Sequence, residues 1–282
     1  MAEVLFPRTT VGGVSVSRMI IGTNWLLGYS HTGPAADKLI QKRQTVEKVS
    51  EILEAYLQYG IDTIMGPMAS GTVLLDAMKM AEDRTGKKLI FISTPILNVD
   101  DNAAARKEAE ATIAQCYKDG STFCFPHHSS AEQLVNKNRQ TIDRLPDYLK
   151  MVRDHGMIPG LSAHMPELIV YSDLNDYDVE TYIQIYNCLG FLMQVEIEYI
   201  NKVIWAAKKP VMTIKSMAAG RCTPFVGLNF SWATLRPQDM VTVGAFTPDE
   251  VHEDVEISLA AMERRAPDLE GRASPNKTTI MK

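Results

Sequence analysis

Short β-branched runs alternate with stretches of helical period along almost all of the 282-residue chain, and no other feature narrows the fold as far. Apolar runs at 14–16 and 19–21 are split by Ser17 and Arg18. A helical pattern over 45–59 ends at Gly60, a natural helix stop, and a strand over 61–65 follows. The series continues with a helix at about 70–85, a strand at 88–93 and a helix at about 102–118 that stops before Asp119-Gly120. A strand at 121–125, helical segments over about 130–155 and a strand at 157–162 come next. The sequence then predicts a helix at about 176–188, a strand at 191–197, a helix at about 199–208 and a strand at 210–214. A helix at about 224–235 and a strand at 240–243 complete the pattern. Thr247-Pro248-Asp249-Glu250 opens a final helix, with Thr247 as N-cap, Pro248 in the first helical position and Glu250 as capping-box partner. Strands alternating with helices imply a parallel sheet, and eight such repeats close it into a (β/α)8 TIM barrel of the α/β class. No linker or low-complexity stretch interrupts the pattern, so one barrel domain is expected over residues 1–270, with a polar tail over 271–282.

Composition excludes several classes of partner. A net charge of −5 gives no general attraction for nucleic acid or an anionic membrane. No apolar run reaches the length of a membrane span, and the N-terminus lacks the basic-then-apolar layout of a signal peptide. Cys116, Cys124, Cys188 and Cys222 are scattered and form no CxxC pair, which predicts reduced, buried thiols and a cytoplasmic protein. The expected partner is a small-molecule substrate, and the polar tail is placed to reach a neighbouring subunit in a homo-oligomer.

Barrels of this kind do their chemistry at the C-terminal ends of the strands. Reading those ends gives Thr23-Asn24 after strand 1, Asp62 on strand 2, Thr94-Pro95 after strand 3 and His127-His128 after strand 4. Ser162 and His164 follow on strand 5, Gln194, Glu196 and Glu198 share one face of the expected strand 6, and Lys215 and Gly244 close strands 7 and 8. His127, His164 and Glu196 or Glu198 form a His-His-carboxylate set, a recurrent ligand combination for zinc or manganese. Asp62, His127 and Lys215 are the candidate acid–base residues. Asn24, Trp25, Tyr29, His31 and His128 are candidate substrate contacts, the first four lying in an aromatic and polar loop after strand 1.

Several of these segments, in order, resemble the aldo-keto reductase family. Val11-Gly12-Gly13-Val14 through Thr23 resembles its N-terminal hairpin, which closes the barrel floor, and Gly60-Ile61-Asp62-Thr63 resembles its strand 2 motif. Gly160-Leu161-Ser162-Ala163-His164, Gln194-Val195-Glu196, Met217-Ala218-Ala219-Gly220 and the run from Val243-Gly244 to Asp254 resemble the family's strand 5, 6, 7 and 8 segments. The resemblance implies that Asp62 and His127 match two members of an Asp-Tyr-Lys-His tetrad. The Tyr and Lys positions hold Pro67 and Pro95, and proline neither donates a proton nor carries charge. It also implies that Ser162 and Gln194 would hold a nicotinamide, with Gly220 and Gly244 nearer the remainder of the cofactor. Glu250 at the phosphate-binding position disfavours NADP and leaves NAD open.

Three readings follow. The first is an enzyme that uses the barrel for non-classical chemistry, of isomerase, epimerase or lyase type and metal-assisted in one version, on a small polar carbonyl or sugar-like substrate. The second is a divergent NAD-linked oxidoreductase. The third is a non-catalytic binding protein, against which the retained ionisable rim argues.

Overall fold

A computed structural model describes residues 4–67 and 72–269. Eight parallel strands form the barrel: Met19–Gly22, Thr63–Gly66, Ile90–Ser93, Phe123–Cys124, a fifth in two segments, Tyr182–Ile185, Val211–Ile214 and Met240–Val243. The fifth runs as Ile158–Pro159 and Leu161–Ala163; its first segment pairs with strand 4 and its second with strand 6, while strand 8 pairs with strand 1. The ring therefore closes through strand 5. Its break falls at Gly160, where an added Cβ would lie 2.4 Å from the Phe125 ring, so the strand passes an interior aromatic that only glycine admits.

Side chains alternate in and out along each strand. Ile20, Met65, Ile92, Phe123, Ile183, Met212 and Met240 fill the interior, and the outward set packs beneath the helices. The strands of residues Arg8–Val11 and Val14–Ser17 form an antiparallel hairpin around Gly12-Gly13, both at positive φ as a two-residue type I′ turn requires. Val11 and Val16 of that hairpin join the interior cluster, so it plugs the floor as its sequence implies. A second device closes the floor. Asp239 accepts from Val211 N at 2.9 Å and from Arg236 Nη2 at 2.7 Å, and Arg236 Nη1 donates to Ala207 O at 2.6 Å.

Strand 6 is the main departure from the sequence expectation. It occupies Tyr182–Ile185, inside the predicted 176–188 helix, and the predicted 191–197 strand is a loop followed by the helix Ile197–Ala206. All four residues of Tyr182–Ile185 are buried, as a strand covered on both faces demands, whereas no residue of 191–197 is. Gly190 and Leu192, both at positive φ, turn that run away from the sheet. The predicted helical stretch 130–155 also divides, into the helix His128–Ala131, a short hairpin over 135–142 and the helix Leu145–Asp154. The helix Pro34–Arg43 was not anticipated. The last helix, Pro248–Glu263, is capped as expected by Thr247, while the Glu250 carboxylate reaches one residue further back, to Phe246 N at 2.6 Å. No helix among the described residues is long and apolar enough to cross a membrane, and residues 271–282 lie outside the described residues.

Candidate active site

A cavity of about 950 Å³ opens at the C-terminal ends of the strands. Asn24, Trp25, Tyr29, His31, His127, His128, Ser162, His164, Lys215, Gly220 and Gly244 all line it, so most of the rim residues read from the sequence do converge.

Lys215 follows strand 7 in a left-handed conformation (φ 61°). No carboxylate among the described residues forms an ion pair with it; its Nζ has His31 Nε2 as neighbour, at 3.3 Å. His31 Nδ1 lies 3.0 Å from Tyr29 O, which can only accept, so Nδ1 carries the proton and Nε2 presents its lone pair to Lys215. Burial lowers the Lys215 pKa from 10.5, and burial together with Lys215 lowers that of His31. The loop bearing His31 is fastened by Asp37, which accepts from Ser30 N at 2.8 Å and from Ser30 Oγ at 2.6 Å.

Three histidines face this lysine. His127 caps the helix His128–Ala131, its Nδ1 accepting from Ser129 N at 3.3 Å, so its Nε2–H is the donor left for the cavity. The rings of His127 and His128 are 4.1 Å apart, and those of His128 and His164 stack at 3.7 Å. Burial first, then the neighbouring His128, pushes His127 down to about 4 and His164 to about 3, which keeps both neutral near pH 7. Glu132 lies beneath the cluster. Its Oε1 accepts from His164 N at 2.7 Å and Met165 N at 2.9 Å, and its Oε2 lies 3.7 Å from His128 Nδ1. Burial raises the pKa of its carboxyl, but the two backbone N–H groups and the neighbouring His128 ring outweigh that and hold it below the usual range.

Four residues read from the sequence are elsewhere. Asp62 precedes strand 2 and lies on the floor, paired with Arg8 Nη2 at 2.9 Å; the same guanidinium holds Gly60 O and Ser15 O. The rim end of strand 2 holds Met65 and Pro67 instead. Gln194, Glu196 and Glu198 are exposed in the loop and helix start that replace the expected strand 6, away from both the nicotinamide and the metal positions assigned to them. Sequence reasoning missed Glu132, although its spacing of four from His128 on a helix was a usable signal. It also missed Gln184 of strand 6, whose Nε2 donates to His164 O at 3.3 Å while its buried Oε1 has no partner. Cys116 and Cys124 are buried as expected; Cys188 and Cys222 are only half-buried, with sulfurs 3.9 Å apart beside the cavity.

Known structures share this architecture. A Pseudomonas aeruginosa protein provisionally assigned to the aldo-keto reductases superposes with a TM-score of 0.66 at 14% identity, over 93% of this chain and 98% of its own. A glycerol dehydrogenase from Gluconobacter oxydans gives 0.58 at 12% identity, over 97% and 99%. The Amycolatopsis orientalis BexX/CysO complex gives 0.52 at 13% identity, over 95% and 100%. No protein-family profile matches the sequence, and no curated protein does. The fold is aldo-keto reductase-like; at these identities the likeness concerns fold alone.

A nicotinamide dinucleotide, which that fold implies, can be tested against the residues present. Ser162 lines the cavity, but so do Glu250, Glu253 and Asp254. The nearby Arg221 already donates to Ala218 O at 3.2 Å and His31 O at 3.3 Å, with the Phe191 ring centroid 4.0 Å from its guanidinium. Two phosphates would meet one committed arginine and three carboxylates. The donor set does not fit this cofactor, and no hydride step is derived from it.

Proposed function

We propose that the protein is an enzyme acting on a small oxygenated carbonyl compound, sugar-like in its polarity, through an imine at Lys215, and that the reaction is an isomerisation or a carbon–carbon cleavage. The observation that carries this reading is the Lys215 amine itself. It stands in the cavity with no carboxylate among the described residues paired to it, its pKa is lowered by burial, and a histidine lone pair lies 3.3 Å away. A desolvated lysine is a standard activated amine for carbonyl substrates.

The steps balance without an oxidant or reductant. The ammonium of Lys215 gives a proton to His31 Nε2, and the free amine adds to the carbonyl carbon. The carbinolamine loses water to form an imine, whose protonated nitrogen withdraws electrons from the adjacent carbon. A neutral cavity histidine takes the proton on that carbon, or the hydroxyl proton of the next carbon when the bond between the two breaks; the enamine that forms is protonated at carbon by the same histidine, and water hydrolyses the imine to restore the amine. His127, with Nε2–H as its free donor, is placed to hold a substrate oxygen. Met65 and Ile214 add apolar lining to the same cavity.

The test is reductive trapping. Incubation with dihydroxyacetone or glyceraldehyde and borohydride, followed by peptide mass spectrometry, is expected to place one adduct on the peptide containing Lys215. Labelling spread over surface lysines, or persisting in Lys215→Met, would show that this lysine has no special reactivity.

A further inference from the structure

We propose that His128, Glu132 and His164 form a binding site for one divalent transition cation, of which zinc is the representative. The three residues each offer one ligand atom, and these atoms lie within 4.8 Å of one another. Two imidazole nitrogens and one carboxylate oxygen are a recurrent donor set for zinc and for ferrous iron, and three protein ligands leave a coordination position open.

Three features separate this group from an incidental cluster. The first is an unmet hydrogen-bonding need: His128 Nδ1 is buried and has no hydrogen-bond partner. A buried polar atom without a partner is destabilising, and a cation satisfies it. The second is the division of labour within Glu132. Oε1 is fixed by two backbone N–H groups, of His164 and Met165, while Oε2 is turned toward His128. The carboxylate therefore ties one histidine's backbone to its own position and offers its other oxygen, as a supported ligand does. The third is location. His128 and His164 line the cavity, so a cation held by them would meet whatever fills it.

The stacked geometry makes a further demand. Rings that lie 20° from parallel at 3.7 Å do not aim their lone pairs at one point. Binding accordingly turns at least one imidazole about its Cβ–Cγ bond and separates the stack. His127 is not among the three residues whose ligand atoms converge. This site is independent of imine formation: its test reads metal, the trapping test reads a lysine adduct, and either can fail alone.

The experiment uses the full chain without an affinity tag, stripped with chelator and titrated with zinc chloride. A Cys188→Ser/Cys222→Ser background removes the one neighbouring thiol pair. Calorimetry is expected to show one equivalent per chain. Glu132→Gln, which keeps an acceptor for the two N–H groups, is expected to weaken binding at least about a hundredfold. His128→Ala is expected to do the same, and His127→Ala to leave binding unchanged. In nitrogen-resolved NMR the ring signals of His128 and His164 should move with zinc. The proposal is overturned if no equivalent binds at micromolar zinc, or if Glu132→Gln and His128→Ala bind as the parent does.

Discussion

The two ends of this barrel handle buried polarity in opposite ways. At the floor the described buried and half-buried acids Asp239 and Asp62 each have an arginine partner. Asp239 and Arg236, almost wholly buried, bind each other and the backbone of strand 7 and its approach, and Asp62 is held by Arg8 of the hairpin. At the rim the same kinds of group are left short. Lys215 has no carboxylate, and His128 Nδ1, Gln184 Oε1, Thr23 Oγ1 and Thr242 Oγ1 are buried without partners. The floor charges are satisfied within the protein, whereas several polar atoms of the rim are not, although unpartnered buried atoms also occur outside the cavity, at Trp232 Nε1 and Ser258 Oγ among others.

The comparison is broken most directly at the floor. Asp239→Ala leaves the Arg236 guanidinium buried beside carbonyls with its carboxylate gone, and an uncompensated buried charge costs about 3–5 kcal/mol. Urea denaturation should show a loss of that size; a loss below about 1 kcal/mol would mean that the clamp does not hold the floor. Next in size is Gly160→Ala. The new methyl meets Phe125 at 2.4 Å in a filled interior, where overpacking costs about 1–3 kcal/mol. Phe125→Leu should return part of that loss in the double variant, while in the parent it can only remove packing.

How much of this was readable beforehand depended on whether the signal was local. The strand–helix alternation, the hairpin and the Thr247 cap are local, and the structure reproduces them. Strand 6 was not, since Tyr182–Ile185 and 191–197 are both apolar runs and only burial on both faces separates them. That displacement carried Gln194, Glu196 and Glu198 with it. The rim residues His127, His128, His164 and Lys215 were legible because they directly follow strands whose ends were correctly placed. Glu132 was legible only in part: its spacing of four from His128 marks one helix face, but its approach to His164 arises only once the helix His128–Ala131 folds it back. Asp62 was misread although the information was available: it lies at the start of its strand, and the rim is at the end.

At the rim the sign of the effect reverses. Lys215→Met removes a half-buried cation with no carboxylate partner among the described residues and should stabilise the protein, on the order of 1 kcal/mol, while abolishing adduct formation. The pH dependence follows from the direction of the shift. The folded-state pKa of Lys215 lies below 10.5, so the unfolded chain binds the extra proton between those values and stability rises with pH there. The penalty is fully present below the folded-state pKa and is relieved as pH climbs toward 10.5. Lys215 faces His31, His127 and His164, all lowered in pKa, so none of them adds a second positive charge beside it at neutral pH. Thermal unfolding of the parent and of Lys215→Met across pH 7–10 should therefore converge as pH rises. Parallel curves, or a less stable variant, would place Lys215 among the satisfied groups.

The smallest effect sharpens the comparison most, because it concerns the residue that sequence alone would have made catalytic. Asp62 and Arg8 form a pair with side chains 22% and 36% exposed, and pairs of this kind contribute about 0–1 kcal/mol. Asp62→Asn keeps an acceptor for Arg8 and should shift the unfolding midpoint only slightly. A carboxylate on the floor cannot exchange a proton with a substrate at the rim, since the packed interior, with Met65 above it on the same strand, lies between them. Trapping at Lys215 should thus proceed in Asp62→Asn at the parent rate. A tenfold or greater slowing without a change in stability would mean that polarity at the two ends is coupled through the core, and the division drawn between them would fall.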